Sequence, residues 1–371
     1  MQSEKSAVKK ILEKAGITLD GSNDGDIHIH DDRFYRRVLL QGSLGLGESY
    51  MEKWWDCKRI DLFIEKLLRS GKHANEITLP LVLLILKSRL LNLQSRVRAK
   101  KVIKEHYDLS NELYQSFLDP HMQYSCAYFK DTEDLATAQE QKMDLICRKL
   151  QLKKTDRVLD IGCGWGGLAR YAAEKYGCSV VGITLSQKQA TYAKERGKDL
   201  PVEIRVQDYR DLTGETFDKI LSVGMFEHVG HKNYYHFMKV VHGILADDGL
   251  FLLHTIAQNE RSSSVNPWVE KYIFPGGMLP AISQIGAASE KFFVMEDWHN
   301  FGPYYHKTLR AWDEKFQKNR AQIEKQYSET FYRMFRYYFN SFAGAFKARR
   351  IQLWQMVFSK GGQDCVYQSV R

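Results

Sequence analysis

From position 157 the chain alternates short β-branched and aliphatic runs with stretches whose apolar positions recur every three or four residues. The pattern predicts strand 157–161, helix 166–176, strand 178–183, helix 186–196, strands 202–206 and 217–223, helix 231–245 and strand 249–254. Strands separated by helices in this way predict an α/β domain: a parallel sheet with helices on both faces and ligands at the strands' carboxyl ends. Ahead of it the spacing predicts an amphipathic helix over 5–15, a strand-like piece with Ile27 and Ile29, and a helix over 134–150. Between Tyr35 and Gly71, Gly42, Gly45 and Gly47 separate two helical patterns, with Trp54 and Trp55 in the second, where they read as core residues. Residues 255–310 break the alternation with aromatics and glycine and read as an irregular insertion over the site. Amphipathic helices over 308–326 and 328–349 and the strand-like IQLWQMVFSK at 351–360 follow.

The first strand ends in VLDIGCGWGGL, where Asp160 precedes Gly162, Gly164, Gly166 and Gly167. Glycine lets a backbone approach a ligand closely, and the helix start behind it offers free N–H groups, so the turn suits an adenosine-like molecule. Dinucleotide-binding folds place similar glycines here, so the pattern alone is weak. The D-x-G-x-G-x-G-G run resembles the first motif of class I S-adenosylmethionine (SAM) dependent methyltransferases.

A length of 371 residues predicts more than one domain, and 44% hydrophobic residues describe a globular protein. The apolar run Ile77–Leu86 contains a proline and is shorter than the ~20 residues of a membrane span. The charged, helical start is not a signal peptide, so a cytoplasmic location is expected. Cysteines at 57, 126, 147, 163, 178 and 365 lack C-x-x-C spacing, which predicts reduced thiols, no disulfide framework and no metal site. A net charge of +9 points to a polyanionic partner, nucleic acid or an anionic lipid surface. The first 103 residues hold 19 Lys plus Arg against 13 Asp plus Glu, so most of the excess lies ahead of the sheet. Arg96, Arg98, Lys100 and Lys101 form an acid-free run that reads equally as a solvated connection or as a surface for anions. The expected division is a small N-terminal domain over 1–92, a basic linker over 93–104 and a catalytic domain over 105–371.

Each strand end carries a candidate. After the second strand, where many nucleotide-binding proteins have an acid for the ribose, the chain has Thr184, Ser186 and Gln189. Gln207 and Asp208 follow the third strand and suit the adenine, Asp208 for its amino group. GMFEHVG after the fourth places Glu227 and His228 at the pocket mouth; a buried carboxylate is rare without a partner, so Glu227 reads as functional, whereas His228 can simply pack. LLHTI after the fifth adds His254.

From about Gln41 to Lys360 the sequence resembles the bacterial cyclopropane fatty acid synthases, which add a methylene from SAM across a cis double bond of phospholipid acyl chains. The resemblance rests on GSLGLGESYM, KEHYDLSNELY, MQYSCAYF, VLDIGCGWGGLA, VVGITLS, VGMFEHVG, FLLHTI, KYIFPGG, MEDWHNFGPYY and GAFKARRIQLWQ. It implies a class I SAM-methyltransferase fold, Rossmann-like with a mixed, mostly parallel sheet, preceded by a small mainly helical domain and carrying lipid-binding insertions at about 255–345. It implies a homodimer, peripheral on the inner face of a membrane. It implies SAM held by Tyr124, Ser125, Asp160, Gly162, Gly164, Gly166, Thr184, Gln189, Gln207 and Asp208. A bicarbonate ion is implied beside the sulfonium, bound by Cys126, Glu227, His254, Ile256 and Tyr305; of these, Glu227, His254, Tyr305 and Cys126 are the catalytic set. Where some relatives have a cysteine before GAF, this chain has Phe342, which rules out a cysteine mechanism there.

The implied chemistry suits these residues. An alkene is a weak nucleophile, so the sulfonium methyl must be held in line with it. Transfer leaves a carbocation, for which the aromatics between 265 and 312 offer ring faces, and a base must then take a proton from the new methyl so that the ring closes. Two other readings compete. A nucleic-acid methyltransferase fits the charge, but amino-methylating enzymes carry an Asp/Asn-Pro-Pro-Tyr/Phe motif where this chain has EHVG. A non-catalytic lipid-binding protein would not need the intact glycine motif and the Glu, His, Tyr and Cys set.

Overall fold

The computed structural model describes residues 2–71, 109–262, 265–362 and 366–371. The apolar run Ile77–Leu86, the linker with Arg96, Arg98, Lys100 and Lys101, and Cys365 lie outside the described residues. Compact packing divides the chain into two units. One holds the described residues up to 71 with Ser262–Gly276 and Tyr305–Ile351, and the other holds those from 109 to 261 with Gly277–Tyr304 and Gln352–Arg371.

The larger unit is built on a seven-stranded sheet. Its strands are β3 (Arg157–Ile161), β4 (Ser179–Thr184), β5 (Val202–Val206), β6 (Phe217–Val223), β7 (Leu245–Ala257), β8 (Val294–Asn300) and β9 (Gln352–Ser359), numbered after two short strands of the other unit. Their order is β5-β4-β3-β6-β7-β9-β8, parallel from β5 to β7, with β9 antiparallel to both β7 and β8. The order reverses between β3 and β6, and at such a switch point the loops after neighbouring strands splay apart and leave a crevice. Alternation along the strands fills two cores. Leu159, Ile161, Phe251, Leu253 and Met356 pack with Phe237, Met238 and Val241 of the helix Tyr234–Ile244. Val158, Leu250, Leu252 and Val357 face the other way, onto Met143 and Ile146 of the helix Leu135–Lys149 and Leu168 and Ala172 of the helix Gly167–Tyr176.

Five strand expectations coincide with β3 to β7 to within a residue or two, apart from β7, which begins at Leu245 rather than 249. The stretch 255–310 is less irregular than its composition implied. It contains the helices Pro267–Tyr272 and Ile282–Ser289 and the edge strand β8. VMEDWHN lacks alternation because Met295 to Asp297 takes a register shift against β9, which breaks the period of two.

In the smaller unit the helices Gln2–Lys14, Arg33–Gln41, Ser43–Met51 and Ile60–Arg69 are joined by β1 (Ile27–Ile29) and β2 (Trp55–Cys57). Only Gly42 stands at a helix junction. Gly45 and Gly47 lie inside a helix, where a Cβ would sit 2.5 Å from the Arg37 carbonyl oxygen or 2.4 Å from the Trp268 ring, so both serve close packing. Trp54 and Trp55 are correspondingly not helical; Trp55 starts β2, fully buried, and its Nε1 donates to the Leu46 carbonyl at 3.0 Å. The expected helix over 308–326 is two, Pro303–Lys318 and Arg320–Gln326.

Asp313 is fully buried in this unit and accepts from Arg336 at 3.0 and 3.2 Å and from Gln317 at 3.0 Å. Removing one member of such a pair strands the other charge in low dielectric. Asp313→Ala is therefore expected to lower unfolding stability by about 3–5 kcal/mol. Denaturant melts check this, and a loss below about 1 kcal/mol, the scale of a surface pair, would contradict it.

Candidate active site

After β3 the chain turns through Gly162, Gly164 and Gly166 before the helix Gly167–Tyr176 begins. Gly164 has φ 54°, and a Cβ there would meet no atom within 4 Å, so the turn is open on that side. Gly167 is different: a Cβ would lie 2.0 Å from the His121 carbonyl oxygen, so the missing side chain lets the segment 119–126 lie against the turn. The Asp119 carboxylate accepts from the backbone N–H groups of His121 and Gln123, each at 2.8 Å, which bends that segment. Gln139 donates to the Ser125 carbonyl at 2.8 Å, and Lys142 Nζ donates to Ser125 Oγ at 2.9 Å and to Gln123 Oε1. Ser125 and Cys126 are thereby fixed, both buried. Tyr124 packs its ring on Tyr114, which in turn lies on Trp165 of the turn at 4.7 Å.

Lys142 is a site residue that sequence reasoning missed. Burial pushes its ammonium down to about 8, against the pull of Asp119, Cys126 and Asp160. Asp160 is pushed up to about 7 by burial, against the pull of Lys142. Both shifts have one cause, the cost of charge in low dielectric, and the pair limits it. The signal was present: Gln139, Lys142, Met143, Ile146 and Lys149 share the buried face of one amphipathic helix, and polar residues there need partners.

The β4 and β5 ends are mutually braced. Thr184 Oγ1 donates to Gln189 Oε1 at 3.0 Å, and Ser186 caps the helix Gln187–Gly197 by accepting from the Gln189 N–H. The Gln207 N–H donates to the Thr184 carbonyl at 3.1 Å. Asp208 is buried and gripped by its neighbour Arg210 through Nε at 2.8 Å and Nη2 at 2.5 Å. Sequence reading did not foresee that grip, since the pair is set by the 3-10 turn Tyr209–Asp211.

At the β6 and β7 ends the arrangement changes character. Glu227 stands in the turn Phe226–His228 and is buried; its Oε1 accepts from the Ile256 N–H at 2.7 Å, while Oε2 is buried with no hydrogen-bond partner. Desolvation pushes this carboxyl up to about 7, opposed by the Ile256 hydrogen bond. His254, 1% exposed, is paired at Nδ1 with Gln355 Nε2 at 3.1 Å, and its Nε2 is likewise buried without a partner. Burial, with Lys142, Lys149 and His299 nearby, holds its ring neutral. An unmade hydrogen bond on a buried polar group costs about 1–3 kcal/mol, and these two atoms, carried where the paired strands β6 and β7 approach their ends, are a candidate position for a ligand. Through Ile256, Glu227 is tied to the strand that carries His254. Tyr305 belongs to the other unit, where its ring stacks on Phe346 at 4.5 Å. Phe342 lies in that unit too, against Tyr338 and Phe274.

Sequence and structure comparisons place the chain among known proteins. The family model described as mycolic acid cyclopropane synthetase matches residues 94–356. The cyclopropane-fatty-acyl-phospholipid synthase of Escherichia coli (strain K12) is 55% identical over 360 residues, covering 96% of this chain and 93% of that protein. Among solved structures, the cyclopropane synthase MmaA2 from Mycobacterium tuberculosis aligns with a TM-score of 0.67 at 32% identity, over 70% of this chain and 98% of its own. The mycolic acid cyclopropane synthase CmaA1 complexed with SAH and CTAB aligns with a TM-score of 0.66 at 34% identity, over the same shares. The fold is that of the class I SAM methyltransferases.

Two outcomes follow from the site's geometry. Gly164→Val should abolish SAM binding in calorimetric titration while the protein stays folded, because the branched side chain fills the open side of the turn and resists its backbone; unchanged affinity in the folded variant would contradict it. Glu227, raised from 4.5 to about 7, favours the fold fully below its unfolded value and loses that contribution as pH rises through 7. Glu227→Gln should therefore gain melting temperature over the parent as pH goes from 5 to 8 in carbonate-free buffer. The gain is at most about 3 kcal/mol, and a difference that does not change with pH would contradict the assignment.

Proposed function

The chain belongs to the mycolic acid cyclopropane synthetase family, and from that membership we propose that it is a cyclopropane-fatty-acyl-phospholipid synthase. It is a SAM-dependent methyltransferase that builds a cyclopropane ring at the cis double bond of unsaturated phospholipid acyl chains. The observation that carries the finer mechanism is the pair of unpartnered buried atoms, Glu227 Oε2 and His254 Nε2.

These residues fit both small molecules. For SAM there is the open side of Gly164, with Asp160, Gly162 and Gly166 shaping the turn and Tyr124 and Ser125 held beside it. Thr184, Gln189, Gln207 and Asp208 supply polar groups along the β4 and β5 ends. For bicarbonate there is a buried donor at His254 and a buried acceptor at Glu227, a set that suits an ion carrying both a negative oxygen and a hydroxyl. The family resemblance adds Cys126 and Tyr305 to the proposed set, and Ile256 contributes by holding Glu227 in place. When bound, SAM supplies an electrophilic methyl group and bicarbonate a base.

The chain's own residues then have separable tasks. The glycine turn and the braced strand ends would hold SAM, whose sulfonium would supply the methyl group, and positioning of that kind converts an encounter into a positioned reaction. Glu227 and His254 orient the anion towards the transferred methyl, which loses one proton as the second carbon–carbon bond closes. Burial keeps water from capturing the intermediate cation on the acyl chain. Domain roles follow: a small domain over 1–92, the linker 93–104, and a catalytic domain over 105–371 whose insertions at about 255–345 receive the acyl chain. Phe274, Tyr338 and Phe342, in mutual ring contact, support an apolar surface in that insertion.

The enzyme docks peripherally, as a homodimer, on the inner face of an anionic bilayer, with the positive charge of the first domain and linker as the support for that placement. Among the described residues no helix is long and apolar enough to cross a membrane. Each Lys or Arg near such a surface contributes about 1 kcal/mol. Neutralising Arg96, Arg98, Lys100 and Lys101 should accordingly weaken vesicle sedimentation and flatten its salt dependence, and indifference would leave the linker a solvated connection.

The mechanism itself is tested by removing dissolved carbon dioxide. Turnover should fall with SAM affinity nearly intact, and added bicarbonate should restore it. Glu227→Gln should be slower than Cys126→Ser, because a charged acceptor makes the stronger hydrogen bond. Full activity without bicarbonate, with a Glu227→Gln enzyme as fast as the parent, would return both groups to structural roles.

A further inference from the structure

Gln355 occupies the middle of β9, paired in register with His254 of β7 on one side and His299 of β8 on the other. Residues directly opposite across strands project to the same face, so the three side chains form a row. The row is dry at its centre: Gln355 is fully buried and His254 nearly so. Gln355 Nε2 lies 3.1 Å from His254 Nδ1. With its nitrogen at Nδ1 the amide donates there and Nδ1 presents its lone pair, while the amide oxygen, Gln355 Oε1, is buried with no hydrogen-bond partner among the described residues. A neutral imidazole has one proton, which then sits on Nε2, the nitrogen that has no protein partner.

We infer that Gln355 is a positioning residue that sets the tautomer of His254, so that Nε2 meets the anion with an N–H and not with a lone pair. The inference rests on the bicarbonate reading of the site. A lone pair aimed at a negative oxygen would repel the ion, whereas an N–H donates to it. The ring cannot supply that donor by charging, since burial first, and the nearby Lys142 and Lys149, oppose a second proton. His299 Nδ1 is itself 3.3 Å from Lys149 Nζ, and Asp297 is paired with Lys149 at 3.0 Å, so the far end of the row is anchored. A neutral donor at Nδ1 holds the ring in the Nε2–H form, and an amide at position 355 provides one.

The residue type matters in a way that a packing role would not reproduce. Gln355→Glu places an acceptor of nearly the same shape opposite Nδ1, which draws the proton there and leaves Nε2 bare. Gln355→Met keeps the volume and removes the instruction, leaving the ring to its own preference, which for neutral histidine is the Nε2–H form. The glutamate variant should thus be the more damaged, although it is the closer isostere.

The test combines nitrogen-15 NMR of the histidine rings of the full chain with steady-state rates at varied bicarbonate. In the parent, His254 should show a protonated Nε2 and an unprotonated Nδ1. Gln355→Glu should move the proton to Nδ1 and raise the bicarbonate concentration for half-maximal rate about tenfold, the worth of one hydrogen bond, with the KM for SAM within about twofold of the parent. Gln355→Met should shift the bicarbonate requirement much less. A parent ring protonated at Nδ1, or a Gln355→Glu enzyme with the parent's bicarbonate dependence, overturns the inference. A parent whose rate ignores bicarbonate overturns the anion reading instead, and the ring spectrum of the parent, which needs no variant to fold, still decides the tautomer.

Discussion

Two buried polar atoms with no hydrogen-bond partner among the described residues set the terms for the rest of this structure. Glu227 Oε2 and His254 Nε2 are buried at the ends of adjacent strands, and each costs about 1–3 kcal/mol in that state. His254 is carried by β7, in the interior of a seven-stranded sheet packed on both faces, Glu227 stands in the turn that follows β6, and each has its other atom fixed, one by the Ile256 N–H and one by Gln355.

Around this pair the charges are arranged to keep both groups near neutrality. Desolvation lifts the Glu227 carboxyl to about 7 and keeps His254 uncharged. A similar balance operates one strand away, where Asp160 and Lys142 are each driven towards the neutral form by burial and limit each other's cost.

Much of this was legible beforehand, and the exceptions have physical reasons. The βα alternation from 157 to 257 is written in period and punctuation, because a buried parallel strand must be apolar and a covering helix must be amphipathic. Glu227 and His254 were singled out because strand ends are where an α/β sheet binds ligands. Lys142 was hidden as a cation in an amphipathic helix, where only its position on the apolar stripe distinguishes it. Gln355 was hidden in a strand that belongs to the sheet only after a long excursion through 258–351. Its partnership with His254 is a matter of register across 101 residues. Gly45 and Gly47 were mistaken for a junction because glycine signals both a turn and a close approach, and only the contact with Arg37 or Trp268 tells the two apart.

The central claim is that this site transfers a methyl group to an alkene and then removes one of its protons. The most direct measurement is the isotope content of the product when the purified protein, SAM bearing a fully deuterated methyl, and vesicles of a cis-unsaturated phospholipid are incubated with bicarbonate. The account predicts an acyl chain that has gained a methylene with one deuterium lost, and a cyclopropane in place of the double bond. An acyl chain that retains all the deuterium of the transferred methyl, or phospholipid that acquires no label while SAM is consumed, would contradict it.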